Sequence, residues 1–358
     1  MNRLDIEKHL QGWLDINLGV DWLTAGCVRQ ITIQQGEAYI DIVLPYPFAS
    51  VAAELAASVQ EHLADNGISS HLKLTLQVPH MRTRPGMAAL QGVKNILAVA
   101  SGKGGVGKST TAINLAHALS AEGARVGILD ADIYGPSLPT LMGIAAGTRP
   151  EVVDEKHFKP LHCHGLDVMS MGFLVTEQTP VVWRGPMATG ALMQMLTQTL
   201  WSDLDYLIVD MPPGTGDIAL TLAQKVPVTA ALIVTTPQDL ALIDAIKAVE
   251  MFNKVEIPVL GVIENMSTHI CSHCGHEDAI FGHGAGERLA SDYAVDLLAS
   301  LPLDGRIRLA ADRGQGWLQD AHMHDWSERY RTLARKVGVA LARGDALPDN
   351  RIPTLVMN

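Results

Sequence analysis

The sequence predicts a doubly wound, mostly parallel α/β domain preceded by a small α+β unit. Three observations carry this. Continuous apolar runs recur from residue 95 onward: "ILAVAS", "RVGILDAD", "YLIVDMPPG", "AALIVTTP" and "VLGVIENM". Such runs suit strands covered on both faces, and each ends in polar, Pro or Gly residues. Helix-patterned segments such as "STTAINLAHALSAEG" separate them. Ahead of residue 80 the grammar differs, with short alternating runs and two helix patterns.

Taken in order, "RLDIEKHLQGWL" has a helical rhythm at Leu4, Leu10, Trp13 and Leu14. "VRQITIQ" and "AYIDIVLP" alternate as strands around the turn "QGE". "SVAAELAASVQEHLADNG" is a helix with Ser50 as the expected N-cap and Gly67 beyond its end. "HLKLTLQV" alternates again. These place a small domain at residues 1–79. "PHMRTRPGMAALQG" has Pro and Gly and no period, so residues 80–93 read as a linker, with few contacts expected across it. Residues 94–345 form the large domain, closed by the helix "WSERYRTLARKVGVALARG", and residues 346–358 are a tail.

Composition narrows the function. The chain has 358 residues, 47% hydrophobic and 18% charged, which fits well-cored globular domains. A formal charge of -11 argues against a broad nucleic-acid surface. No apolar run is long enough to span a bilayer, and the charged N-terminus does not fit a signal peptide. Four cysteines with no even framework suggest a reducing compartment, with the cytosol as default.

In doubly wound sheets ligands sit at the carboxyl ends of the strands, where the polar clusters fall. "SGKGGVGKST" follows the first strand and fits G-x-x-x-x-G-K-[ST] through Gly102, Gly107, Lys108 and Ser109. Backbone amides of Gly102, Lys103, Gly104, Gly105, Val106 and Gly107 can turn around phosphate oxygens, and the helix that follows points its positive end at them. Lys108 reaches the β- and γ-phosphates, the Ser109 hydroxyl can ligate Mg²⁺, and Thr110 completes the loop. Asp130 and Asp132 end the second strand, and Asp210 ends "YLIVDMPPGTGD". A strand-end aspartate is often only an N-cap, and Asn265 could be only a turn former. "THICSHCGHE" supplies Cys271 and Cys274, two thiols at metal-ligand spacing. Spacing alone leaves open an iron–sulfur cluster, zinc shared with nearby histidines, a redox pair, or idle thiols.

The order K-G-G-V-G-K-S-T resembles the deviant Walker A loop of ATPases that include partition, cell-division-site and nitrogenase-reductase proteins. That resemblance implies a homodimer in which Lys103 reaches the partner's nucleotide. It also implies that Asp132 orients the attacking water, that Asp130 lies near Mg²⁺, and that Asp210 holds Mg²⁺ through water. Gly214 would then meet the γ-phosphate and Asn265 would read the adenine.

"GVIENMSTHICSHCGHEDAIFGHGAGERLA", with "DIYGPSLPTLMG", "VVWRGPM" and "LPLDGRIRLAADRGQG", resembles the Mrp/ApbC iron–sulfur cluster carrier ATPases over residues 94–316. The N-terminal unit is similar, more weakly, to the small domain that bacterial members carry in front. The resemblance implies slow ATP hydrolysis. It implies a [4Fe–4S] cluster held by Cys271 and Cys274 of two subunits, with scaffold proteins and recipient apoproteins as partners. Ser272 departs from the family's usual proline, which bears only on local rigidity. Cys27 and Cys163 have no assigned part. The competing reading, a positioning or partition ATPase, needs a basic DNA face or an amphipathic terminal membrane helix, and gives the cysteine pair no role.

Overall fold

A computed structural model describes residues 2–81, 83–174, 185–271, 273–318 and 320–344. The small domain runs α1 (Arg3–Gln11), β1 (Val28–Gln34), β2 (Glu37–Leu44), α2 (Ala52–Asp65) and β3 (Ser70–Leu76). β1 pairs antiparallel with β2, and β3 returns parallel to β2 after α2. The alternation of β2 points Ala38, Ile40, Ile42 and Leu44 into a core with Ile6, Leu10, Val59 and Leu63. Buried Asp15 organises the loop after α1, accepting from Trp22 Nε1 and Tyr46 Oη, both at 2.8 Å. Ser50 is not an N-cap: α2 begins after Val51 with no side-chain cap, and the Ser50 hydroxyl accepts from Arg335.

The large domain contains β4 (Val93–Ala100), α3 (Lys108–Ala121), β5 (Val126–Asp130), α4 (Leu138–Leu141) and the short strands β6 (Glu151–Val153), β7 (His157–Lys159) and β8 (Leu161–Cys163). There follow β9 (Leu166–Ser170), α5 (Gly185–Gln198), β10 (Leu204–Asp210), α6 (Asp217–Lys225), β11 (Ala230–Thr235) and α7 (Asp239–Lys254). The chain then continues through β12 (Val259–Ile270), β13 (Glu277–Asp278), α8 (Ala285–Tyr293), β14 (Asp296–Leu303), α9 (Gly305–Asp312) and α10 (His324–Ala342). The sheet order is β13-β12-β11-β4-β10-β5-β9-β8, with β14 also pairing β12. The strands from β9 through β12 pair in parallel, and β8 and β13 add antiparallel edges.

Both faces of the sheet are covered, which explains the unbroken apolar runs. Leu97, Val99, Ile128 and Ile208 share a core with Leu115 and Leu119 of α3 and Tyr330 and Leu333 of α10. Ile96, Ala98, Leu129 and Val209 share the opposite core with Leu192, Leu222, Val249 and Phe252 from α5, α6 and α7.

The two domains are joined more closely than the linker composition suggests. Glu122, at the C-terminal end of α3, is buried, and its carbonyl accepts from Phe48 N and Ala49 N at 3.1 Å each. Its carboxylate accepts from Ser50 N at 3.2 Å and Arg331 at 2.9 Å, and Arg335 stands 3.6 Å away. Val339 of α10 enters the small domain's core, and Arg343 donates to the Leu18 carbonyl. The segment from 80 to 93 is itself pinned. Arg84 donates to the carbonyls of Ala223, Gln224, Val226 and Val255 at the ends of α6 and α7, and Met81 N donates to Asn95 Oδ1. Several basic residues of α10 are therefore spent on internal contacts. Among the described residues no helix is long and apolar enough to cross a membrane. The tail expected at 346–358 and the "VVWR" of the family motif lie outside the described residues.

Candidate nucleotide and thiolate site

The loop between β4 and α3 gathers most of the expected nucleotide ligands. Gly107 precedes the helix at φ +82° and makes no side-chain cap for α3, which leaves a helix N-terminus suited to an anion. Lys108 is buried and its ammonium pairs with Asp210 Oδ1, at the end of neighbouring β10. It also lies 3.4 Å from the Ser109 hydroxyl. Among the described residues buried Asp210 Oδ2 has no hydrogen-bond partner, which leaves an open acceptor beside Lys108. Burial pushes this carboxyl up, opposed by Lys108 and Ser109.

Gly102 is dictated by close approach. A Cβ there would stand 2.0 Å from the Asp244 carbonyl of α7. Gly214 N donates to the Ser101 carbonyl at 2.9 Å, so the segment after β10 is fastened to the start of the loop. Lys103 is half-buried, and among the described residues its ammonium makes no ion pair. Gly104 and Gly105 are exposed, Val106 is buried, and Thr110 is half-buried at the start of α3.

The two aspartates after β5 differ. Asp130 is fully buried: Oδ1 accepts from Asp132 N at 3.0 Å, and Oδ2 from Leu138 N at 3.1 Å and the Ser170 hydroxyl at 3.0 Å. Burial, reinforced by Asp210, pushes its carboxyl up to about 7. Asp130, expected near magnesium, thus spends its oxygens on the backbone that carries Asp132. Asp132 is only partly covered, and its Oδ1 accepts from Tyr134 N and Gly135 N at 3.3 Å each. Ser170 lies on a strand with no recognisable motif, so nothing in the sequence marks its bond to Asp130.

Asn265 reaches the phosphate loop. Its Nδ2 donates to the Val106 carbonyl at 2.9 Å and lies 2.2 Å from where a Gly107 Cβ would stand. In this structure the amide expected for adenine is engaged with the loop backbone.

The cysteine pair lies at the tip of the β12–β13 hairpin, just beyond the last β12 residue, Ile270. Cys271 N donates to the His276 carbonyl at 2.8 Å, and Gly275 N, at φ +72°, returns to the Cys271 carbonyl at 2.9 Å. The amides of Cys274 and His273 face the Cys271 sulfur and hold its thiol below the usual range. Both cysteines are free, Cys271 half-exposed and Cys274 exposed. His269 Nδ1 lies 3.4 Å from the Leu303 carbonyl. Among the described residues no three of His, Cys, Asp or Glu are grouped to hold a metal ion. Ser272 lies outside the described residues. Cys27 is buried in the small domain, its thiol pushed up to about 12 by burial, and Cys163 lies far from the pair on β8.

Residues 92–338 match the family described as "NUBPL iron-transfer P-loop NTPase", and residues 3–66 match "Iron-sulfur cluster assembly protein". An "Iron-sulfur cluster carrier protein" from Haemophilus influenzae is 46% identical over 346 residues, covering 96% of this chain and 93% of its own. One of the same description from Escherichia coli K12 is 51% identical over 328 residues, covering 91% and 89%. Among solved structures, a nucleotide-binding protein from Archaeoglobus fulgidus in complex with ADP is 37% identical, with a TM-score of 0.56 over 63% of this chain and 88% of that one. The Pyrococcus furiosus cell-division ATPase MinD, 21% identical at a TM-score of 0.51, covering 68% and 98%, shares the fold. With more than half of its length matched, and with the Mrp/ApbC resemblance of its motifs upheld, this chain belongs to the NUBPL iron-transfer P-loop NTPase family of iron–sulfur cluster carriers.

Proposed function

We propose that this protein is an ATP-hydrolysing carrier that accepts an iron–sulfur cluster on Cys271 and Cys274 and passes it to apoproteins. The observation that carries the reading is the pairing, in one domain, of an anion-ready phosphate loop with a thiolate hairpin that has two sulfurs and no third ligand among the described residues. A four-thiolate cluster then needs two copies of the chain, and an isologous dimer brings the same hairpin from both to one axis. Exposed Tyr134, Leu240 and Ile243, on segments flanking the loops of Asp132 and Gly102, suit a face covered by a second copy.

The proposed roles rest on the loop's resemblance and on the contacts described above. Lys108 exchanges Asp210 for the nucleotide phosphates, helped by the amides of residues 102–109. Lys103, without an ion pair among the described residues, reaches across to the partner's nucleotide. Asp132 orients a water for attack on the γ-phosphorus as the bond to the bridging oxygen breaks and ADP leaves. Ser109 and the open Oδ2 of Asp210 fit Mg²⁺, which would neutralise phosphate charge. Asp130 supports the Asp132 loop instead of meeting the metal. Gly214 and Asn265 exchange their loop contacts for nucleotide. Turnover is slow, as suits a carrier whose cycle is set by loading and delivery. The domains divide at residues 79 and 94, with the smaller one taking part in recognition of scaffold or recipient proteins. A reducing cytosol suits four unpaired cysteines.

Anaerobic reconstitution of wild type, Cys271→Ala, Cys274→Ala and a Cys27/Cys163 double-alanine variant tests this. About four irons per dimer are expected in wild type and in the double variant, with near-complete loss in either single variant. Four irons per monomer, zinc in place of iron, or a cluster surviving loss of Cys271 would overturn it.

A further inference from the structure

The nucleotide loop and the cysteine pair are linked by a single strand. β12 passes the phosphate loop at Asn265 and ends at Ile270, one residue before Cys271. Just past Asn265 the strand is irregular. Met266 has φ +56°, in the left-handed region that a residue with a Cβ disfavours. The pairing with β14 runs regularly from Ile263 to Asn265, opposite Ala299 to Leu301, and then jumps to His269 opposite Leu303. Upstream of the irregularity the strand is anchored, because the Glu264 carboxylate accepts from Gly286 N of α8 at 2.8 Å. Beyond it lies the hairpin that carries both sulfurs.

Both residues of this bulge lie against the phosphate loop. Asn265 donates to the Val106 carbonyl, and Met266 Cε lies 3.8 Å from the Cβ position of Gly107. These are the residues whose backbone must accommodate bound phosphate. We infer that the Asn265–Met266 bulge is the joint through which nucleotide at the phosphate loop resets the Cys271–Cys274 hairpin, with Met266 as a positioning residue. The inference rests on the carrier reading for its biological use, but not for its test. A disfavoured backbone conformation persists only while its surroundings hold it. When the loop closes on phosphate, the contacts at Val106 and Gly107 change and the bulge loses its support. Because side chains alternate along a strand, even a small change of pairing between Asn265 and His269 turns the hairpin beyond. Loading or release of the cluster is thereby tied to the nucleotide state.

The test uses the full-length, cluster-free protein, so it does not depend on iron. The rate of N-ethylmaleimide addition at Cys271 and Cys274 is read by mass spectrometry without nucleotide, with Mg-ADP and with a non-hydrolysable Mg-ATP analogue. Nucleotide affinity is measured in parallel. In wild type and in Met266→Leu, which keeps a side chain at the bulge, nucleotide should change the rate about fivefold or more, the scale of ordinary site-to-site coupling. In Met266→Gly the left-handed backbone no longer depends on the loop, so the nucleotide effect should fall below about twofold while affinity stays within about twofold. Full coupling in Met266→Gly, its loss in Met266→Leu, or nucleotide-independent rates in wild type that still binds nucleotide would overturn the joint. Failure of the protein to take up iron, with coupling intact, would strike the cluster reading and leave the joint standing.

Discussion

Gly102→Ala gives the sharpest test of how the fold builds the nucleotide site. The new methyl would stand 2.0 Å from the Asp244 carbonyl carbon and oxygen and 2.6 Å from Ala245 N. Ordinary contact between carbon atoms begins near about 3.5 Å, so the loop and α7 must separate by about 1.5 Å. Both partners are backbone, so no side-chain rotation relieves the clash. Overpacking of this kind costs about 1–3 kcal/mol. At about 2 kcal/mol the melting temperature of a domain this size falls by about 4–8 °C. The larger effect is on chemistry, because a misplacement of about 1 Å can cost about a hundredfold in rate. Phosphate-release kinetics with Mg-ATP and calorimetric titration with ADP measure it, beside nucleotide-free melting curves. Gly104→Ala is the comparison, since a Cβ there meets no protein atom nearer than 4.0 Å. Its nucleotide-free stability should stay within about 0.5 kcal/mol of wild type. A Gly102→Ala protein with wild-type melting and ADP affinity would refute the argument that contact with α7 fixes this loop.

Lys108→Ala and Lys103→Ala should each abolish turnover, and mixing the two inactive proteins should restore part of it through complementary heterodimers; normal hydrolysis by Lys103→Ala would remove the cross-subunit role. Glu122→Ala strips the carboxylate from Arg331, Arg335 and Ser50 N, and breaking a buried pair costs about 3–5 kcal/mol. Denaturant midpoints should fall accordingly and proteolysis at residues 80–93 should quicken, whereas an unchanged midpoint would show that the domain junction contributes nothing. In the cluster-free protein Cys271 should alkylate faster than Cys27 at neutral pH and keep reacting at a lower pH than an ordinary thiol. Its thiol is held down by two amides while burial pushes Cys27 up to about 12, and equal rates at the two sites would contradict this.

Much of the molecule follows from local sequence. The apolar runs at 96–100, 126–130, 205–210, 230–235 and 259–263 read as strands covered on both faces, and the loop at 101–110 has few physical uses besides phosphate. The C-x-x-C spacing likewise marks two thiols that can face one metal centre. What the sequence hides is whatever depends on pairs distant along the chain. Asp130 and Asp132 are alike as letters. Only the fold brings Ser170 and Leu138 N to Asp130 and leaves Asp132 partly uncovered. Ser50 has the look of a helix cap, but Arg335, 285 residues away, takes its hydroxyl. Residues 80–93 read as a free linker because Arg84 finds its carbonyl partners on α6 and α7, more than 130 positions along the chain. The left-handed Met266 leaves no trace in residue type, and it stands beside the phosphate loop at the break in pairing with β14. Periodicity and short motifs report interactions within a few residues. Hydrogen bonds and close packing between elements exist only once the sheet has fixed where each strand ends, and that arrangement decides which carboxylate is buried and which glycine is indispensable.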